Sequence, residues 1–134
     1  MLNFMTAEEA AELIQHGDVL GMGGFTATGV PKAVPFALAQ RAERLHAEAT
    51  PFRVGLETGA SMGDACDGAL ARAHAVEFRT PYQSNKSMRE EINAEGTHYF
   101  DMHLSHMAQD LRYGFLPKPN WAIIEASYVG EDGT

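Results

Sequence analysis

Residues 17–32 of this 134-residue chain read GDVLGMGGFTATGVPK. A short apolar run, residues 19–24, predicts a buried strand that leads straight into a glycine-rich loop. Pro31 and Pro35 then predict the start of a helix, because proline is tolerated in a helix's first turn. Glycine lets the backbone come close to a neighbouring group. The stretch therefore predicts a strand, a loop and a helix, and the loop is either a structural turn or a turn shaped around a ligand.

The same alternation of strand and helix continues along the chain. Thr6-Ala-Glu-Glu9 has the form of a capping box that starts a first helix, and Gly17 is the expected end of that helix. The predicted strands are residues 19–24, 52–56, 76–78 and 121–125. Besides the helix that starts at Thr6 and the helix that starts near Pro31, helices are predicted over 64–73, 85–94 and 103–113. This order predicts an α/β fold with an open, mostly parallel sheet and helices on both faces. Ligands of such sheets bind beyond the carboxyl ends of the strands, where the glycine-rich turns 21–29 and 59–63 fall.

Composition limits the classes of function. The net charge of −8 comes without a cluster of Lys and Arg, which argues against nucleic acid and membranes as partners. No apolar run reaches the length of a membrane helix, and MLNFMTAEEA does not resemble a signal peptide. The single cysteine, Cys66, excludes an internal disulfide and is expected to be a buried structural thiol. We expect a cytoplasmic protein.

The glycine loop does not match either common phosphate-binding motif. The dinucleotide fingerprint requires glycine where this chain has Thr26, and no Gly-Lys-Ser/Thr sequence follows for a nucleotide phosphate. These mismatches leave a loop that is structural or that contacts some other ligand.

Several polar residues admit two interpretations. Ser61, in Ser61-Met-Gly-Asp64, is either a helix cap or a hydroxyl that donates to a substrate. Arg79, at a strand end, is either a solvated arginine in a turn or part of an anion-binding group. His98, His103 and His106 are favoured as surface or capping residues over metal ligands, because Asp101 is available as a further ligand but nothing else in the spacing is distinctive. Glu57 and Glu125 lie at strand ends, but nothing pairs them for acid–base chemistry.

The last residues include Asp132-Gly133, a hairpin signal with no second strand after it. We therefore expect 1–134 to be an incomplete domain cut from a longer protein, with a flexible natural tail as the alternative.

Six blocks of sequence, taken together and in this order, resemble one known family. They are GFTATGVPKAVPFALAQR, TGASMG with Asp67-Gly68 after it, FRTPYQSN, MREEIN, YFDMHLS and IIEASYVGEDG. They are similar to the N-terminal region of the acetyl-CoA hydrolase/transferase family, the class I CoA-transferases with a NagB/RpiA-like fold.

The resemblance implies an enzyme of two similar α/β domains, of which 1–134 is the N-terminal one. Coenzyme A is then a substrate, and no permanently bound cofactor and no metal are expected. The reaction exchanges CoA between an acyl-CoA and a small carboxylate through a glutamyl-CoA thioester. The catalytic glutamate is expected C-terminal to Thr134, so this chain contains no catalytic residue. An acyl-CoA hydrolase and a non-catalytic ligand-binding module are the alternatives, and a homodimer is the expected assembly.

The resemblance also implies substrate-binding residues. Ser61 matches a serine at the family's active-site cleft, and Gly24, Phe25 and Thr26 match a loop that lines the same cleft. Weaker candidates follow the third predicted strand: Thr80, Tyr82 and Asn85. On this interpretation the glycine loop encloses a small acyl or carboxylate group, and the whole site is completed by a second domain.

Overall fold

A computed structural model describes residues 2–26, 28–131 and 133. Five strands form one sheet in the order β4-β3-β2-β1-β5, and each neighbouring pair is parallel. The strands are β1 (Val19–Met22), β2 (Val54–Thr58), β3 (Val76–Thr80), β4 (His98–Tyr99) and β5 (Trp121–Ile123). The predicted α/β fold with a parallel sheet is confirmed.

Within the described ranges, five α-helices connect or precede these strands. They are α1 (Ala7–Leu13), α2 (Ala33–Ala47), α3 (Ala69–Arg72), α4 (Lys86–Asn93) and α5 (Leu104–Tyr113). A π-helical turn, Asp64–Gly68, runs directly into α3, so the predicted helix 64–73 has an irregular first half.

The strand order places the helices on two sides of the sheet. From β1 to β4 the chain steps in one direction, and from β4 it returns past β1 to the other edge at β5. Because parallel crossovers are right-handed, the connections α2, α3 and α4 share one face and α5 covers the other. The order reverses between β1 and β5, which is where ligands of open parallel sheets usually bind.

The two faces of the central strands differ in side-chain size. Toward α2, the strands contribute fully buried apolar side chains: Leu20, Met22, Val54 and Leu56. Toward α5, the alternate positions are small or polar, with Gly21, Gly55 and Glu57. The main core therefore lies between the sheet and α2–α4, and the face under α5 has room left in it.

One local signal at the ends of α1 is confirmed and the other is wrong. The Thr6–Glu9 capping box is present, with the Glu9 amide donating to Thr6 Oγ1 at 3.1 Å and the Thr6 amide donating to Glu9 Oε2 at 2.7 Å. The prediction that Gly17 ends α1 is wrong: the helix ends at Leu13, and Ile14 is already extended. The predicted hairpin signal at Asp132-Gly133 lies partly outside the described residues.

Strand β4 was missed because it is only two residues long and has no periodic pattern. Among the described residues, no helix combines the length and the apolar character that a membrane span requires.

Glycine is required at position 55, in the middle of β2, because the side chain of Phe78 on β3 occupies the adjacent space. A Cβ at this position would lie 2.3 Å from Cε1 of Phe78. We expect Gly55→Ala to lower the free energy of unfolding by about 1–3 kcal/mol through overpacking. Urea denaturation would measure this.

Gly59→Ala is the matched control, since a Cβ there meets only Leu104 Cδ1, at 4.0 Å. The packing account fails if the two glycine substitutions have the same effect on the unfolding midpoint.

Candidate functional site

Two loops meet at the carboxyl edge of the sheet, one after β1 and one after β2. In the first, Phe25 and Thr28 exchange two backbone hydrogen bonds of 2.9 Å each, which closes a tight turn. Gly24 has φ +121°, and a Cβ there would lie 2.9 Å from the carbonyl oxygen of Gly29. The turn itself therefore requires glycine at position 24. At this position the interpretation of the loop as a structural turn is sufficient.

The second loop, residues 59–63, lies against the first. A Cβ at Gly63 would lie 4.0 Å from the carbonyl oxygen of Thr26. Thr26 has φ +56°, a backbone conformation that is uncommon for a β-branched residue. Phe25 is 66% exposed. The predicted Gly24-Phe25-Thr26 loop thus sits beside the turn of Ser61 and presents an aromatic ring to solvent.

A fully buried ion pair lies beneath the Ser61 turn. Arg79 donates from Nε to Asp67 Oδ1 at 2.9 Å and from Nη2 to Asp67 Oδ2 at 3.2 Å, and both side chains are completely buried. Arg79 also donates to the carbonyl of Ala60 at 3.0 Å, while Asp67 Oδ2 accepts from the amide of Met62 at 2.6 Å. The ion pair is therefore hydrogen-bonded to the backbone on both sides of Ser61, at Ala60 and at Met62. The alternative of a solvated Arg79 is wrong.

Ser61 belongs to the same network. Its hydroxyl donates to Gln83 Oε1 at 2.9 Å and lies 3.4 Å from Asp67 Oδ2. The helix-cap interpretation of Ser61 is wrong, because the turn at Asp64–Gly68 has Gly63 at its N-cap and no side-chain cap bond. Gln83 Oε1 also accepts from the amide of Asn85 at 2.6 Å, and Gln83 Nε2 is buried with no hydrogen-bond partner in the described chain.

The weaker candidates take different positions. The buried Thr80 donates from Oγ1 to the carbonyl of Phe100 at 2.8 Å, so its hydroxyl is engaged within the fold. Tyr82 is 56% exposed. Asn85 caps α4 by accepting from the amide of Met88 at 3.1 Å. The substrate-binding roles of these three residues, and of Ser61 and the loop, stay predictions.

Glu57, at the end of β2, is a buried carboxyl group without partners. Its side chain is 1% exposed, and neither carboxyl oxygen has a hydrogen-bond partner among the described residues. Burial raises the pKa of Glu57 from 4.5 to about 7. By contrast, Glu125 is half exposed and forms an ion pair with Lys32 at 2.5 Å. Sequence gave no reason to separate these two glutamates, since both lie at strand ends.

The histidines and the cysteine lie outside the hydrogen-bond network of Ser61, Asp67 and Arg79. His98 is in β4, and the rings of His103 and His106 stack edge to face at the start of α5, 5.6 Å apart. Cys66 is fully buried, as expected, with its Sγ 3.3 Å from Met22 Sδ. Burial raises the pKa of the Cys66 thiol.

Asp67 and Gln83 are the polar residues that sequence reasoning missed. Asp67 lies in Asp67-Gly68 and Gln83 lies in FRTPYQSN, but the side-chain partners that define their roles are distant in sequence. Asp67 meets Arg79 and Gln83 meets Ser61 only after the sheet forms. A fully buried arginine needs an acidic partner, but the burial of Arg79 is visible only in the folded structure.

The fold and this edge define a class: an α/β domain with a parallel sheet whose carboxyl-edge loops contain a buried serine, Ser61, and a glycine-rich backbone. The chain belongs to a family within it, since the model for the acetyl-CoA hydrolase/transferase N-terminal domain matches residues 2–134.

Curated relatives and a solved structure agree with this assignment. The chain is 46% identical over 129 residues to a propanoyl-CoA:succinate CoA transferase of Escherichia coli K12, covering 96% of this chain and 26% of that protein. It is 37% identical over 136 residues to an acetyl-CoA hydrolase of Candida albicans, again covering 96% and 26%. The chain thus spans about a quarter of the length of these relatives.

The solved structure is an acyl-CoA transferase of Escherichia coli O157:H7 in a thioester complex with CoA. It matches with a TM-score of 0.58 at 16% identity, over 81% of this chain and 22% of that one. At this identity the likeness shows the shared fold.

The buried ion pair predicts a large difference between two aspartates of the same turn. Asp67→Ala leaves the Arg79 charge buried and unpaired, so we expect a loss of about 3–5 kcal/mol in the free energy of unfolding. Asp64→Ala removes an exposed pair with Arg72, and we expect a loss of at most about 1 kcal/mol. Chemical denaturation of both variants measures the contrast, and equal losses would contradict it.

Glu57 predicts a pH-dependent stability. Because its pKa is higher in the folded chain than in the unfolded chain, its contribution to the free energy of unfolding falls as pH rises from about 4.5 to about 7. Gln at this position does not ionise. We expect Glu57→Gln to match the wild type near pH 4 and to exceed it by about 3 kcal/mol at pH 8.

Denaturation across this pH range tests the prediction, with Glu90→Gln on the surface of α4 as the control. A Glu57→Gln effect that does not change with pH would show that the carboxyl is solvated.

Proposed function

We propose that this domain forms one wall of the active site of an enzyme that transfers CoA between an acyl-CoA and a small carboxylate. The observation that carries the proposal is the Ser61 turn at the carboxyl edge of the sheet, which a buried ion pair fixes in place and which lies beside the Gly24–Thr26 loop. Membership of the acetyl-CoA hydrolase/transferase family supports the same reaction class. The proposed substrate-contacting residues are Gly24, Phe25, Thr26 and Ser61.

The proposed reaction uses a glutamate from outside residues 1–134. Its carboxylate attacks the thioester carbonyl of the acyl-CoA, and the CoA thiolate leaves, which gives an acyl-glutamyl anhydride. The thiolate then attacks the glutamyl carbonyl and releases the first carboxylate, leaving a glutamyl-CoA thioester. The acceptor carboxylate reverses both steps, so CoA passes to the acceptor and the glutamate is regenerated.

This domain would contribute positioning and exclusion of water. An anhydride that meets water is hydrolysed, so the site must close around it. A serine hydroxyl and backbone amides can hold a small carboxylate in place without adding another charge. The network under Ser61 supports this role because it fixes the turn through groups that are themselves buried.

A second domain would complete the site, with residues 1–134 as the N-terminal domain of a cytoplasmic, homodimeric enzyme. Large apolar side chains after β5 are exposed in the described chain, as a surface covered by further protein would be: Ile124, Tyr128 and Val129. Their exposure supports the two-domain proposal.

The alternative reaction is acyl-CoA hydrolysis, which differs by admitting water to the glutamyl intermediate. It is favoured by the relatives that carry the name acetyl-CoA hydrolase. An assay of the complete protein with acetyl-CoA separates the two. The transferase proposal expects succinyl-CoA to form when succinate is added, with little free CoA in its absence. Release of free CoA at a rate that succinate does not change would contradict it.

Ser61→Ala tests the proposed site. We expect kcat/KM for CoA transfer to fall about tenfold to a hundredfold in the complete protein, because a hydrogen bond to the reacting group is lost. Ser87→Ala, at a partly exposed serine on α4, is the control and should keep the wild-type rate. An unchanged rate together with a lower melting temperature would show that Ser61 serves only the fold.

A further inference from the structure

A pocket of about 420 Å³ lies between α5 and the sheet, at the carboxyl ends of β1 and β2. Its walls are largely apolar and include Leu104, Met107, Leu111, Pro119 and Ile124. Glu57 lines it from the sheet side. The volume and the largely apolar lining, in which Glu57 and Thr58 are the polar residues, are typical of small-molecule sites. The pocket lies where the strand order reverses.

Glycine at position 21 keeps this pocket open. Gly21 is the register partner of Glu57 on the neighbouring strand, so both face α5. A Cβ at Gly21 would make only ordinary contacts, the nearest being 3.6 Å from Pro119 Cβ and from the carbonyl oxygen of Trp121. Packing therefore does not require glycine here. Its absent side chain leaves free space next to the Glu57 side chain.

The carboxyl of Glu57 has no partner from any element around it. On β1 its neighbour is Gly21, and on β3 its neighbour Thr80 donates its hydroxyl to Phe100. The lining residues of α5 and of the segment around β5 are apolar, and Glu57 is the only titratable side chain that lines the pocket in the described part of the chain. A carboxyl group in such surroundings keeps its proton, and it then has one O–H donor and one carbonyl acceptor unpaired.

We propose that this pocket, which we call the α5 pocket, binds a neutral small molecule with a short apolar body and a carboxamide-like head. A carboxamide carries an acceptor oxygen next to an N–H donor, so it matches both unpaired atoms of a protonated carboxyl. The apolar body would pack against Leu104, Met107 and Leu111 of α5. The proposal concerns a binding site and does not depend on the proposed CoA transfer.

The residues that line the α5 pocket determine which charge a ligand can carry. A ligand carboxylate would find no cation among the lining residues, and it would stand beside a second carboxyl group. A ligand ammonium would require Glu57 to ionise, and both charges would lose their water in an apolar pocket. A neutral head has neither cost.

Entry to the pocket involves α5, which is held by few buried side chains. Met107 is its one buried residue, whereas Leu104 is 50% exposed. The Glu57 oxygens are covered by neighbouring atoms, so the proposal requires the side chains above them to move when a ligand binds. Methionine is unbranched and adapts to such changes.

Hexanamide is the probe, and the Met107 methyl is the reporter. In the complete protein labelled with ¹³C-methyl methionine, we expect hexanamide to shift the Met107 signal saturably at pH 6. Raising the pH to 8 should weaken binding about tenfold, because a group with a pKa near 7 loses its proton over this range. Hexylamine, which has the same chain and a charged head, should bind more weakly at pH 6.

Three variants locate the site. Glu57→Gln keeps a neutral donor and acceptor, so it should bind hexanamide equally at both pH values. Gly21→Ala should weaken binding several-fold by filling the space beside Glu57, and Glu90→Gln should change nothing. A Met107 signal that hexanamide does not shift would overturn the proposal. So would hexylamine that binds as tightly as hexanamide at pH 6, or a pH dependence that survives in Glu57→Gln.

Discussion

The ion pair between Arg79 and Asp67 is the contact on which the carboxyl edge of this sheet depends. Both side chains are fully buried, and between them they join β3, the π-helical turn and the 59–63 loop. A buried ion pair costs desolvation and is offset only when its remaining donors and acceptors are satisfied. Here the surplus bonds go to the backbone of Ala60, Met62 and Thr80. The hydrogen bonds that offset the cost of burying the two charges also fix the geometry of the loop around Ser61.

The sheet separates two chemically different environments. On the side of α2–α4, large apolar side chains and a hydrogen-bonded ion pair make a dense core. On the side of α5, Gly21 and an unpartnered Glu57 leave an apolar pocket that the helix covers only partly. The core on the side of α2–α4 holds the fold together, and the unfilled volume lies on the side of α5. A domain organised in this way can present a rigid loop while keeping a neighbouring pocket adaptable.

Sequence predicted the parts of the structure that depend on local patterns. Thr6 and Glu9 were read correctly as a cap, and strands β1, β2, β3 and β5 were found because apolar runs and turn residues lie close together in the chain. The resemblance to a family was also visible in sequence. The Asp67–Arg79 and Ser61–Gln83 contacts were not predictable, since each joins residues 12 and 22 positions apart through the folded sheet. Glu57 was passed over because its isolation is a property of its surroundings.

Hydrogen exchange in an Arg79→Met variant tests the central claim most directly. The claim is that the ion pair fixes the Ser61 turn and that the rest of the sheet folds around its own apolar core. The account predicts that amides of residues 60–63, above all the Met62 amide that donates to Asp67, lose protection while the amides of the β1–β2 ladder keep theirs. Unchanged protection at Met62, or an equal loss throughout the sheet, would contradict it.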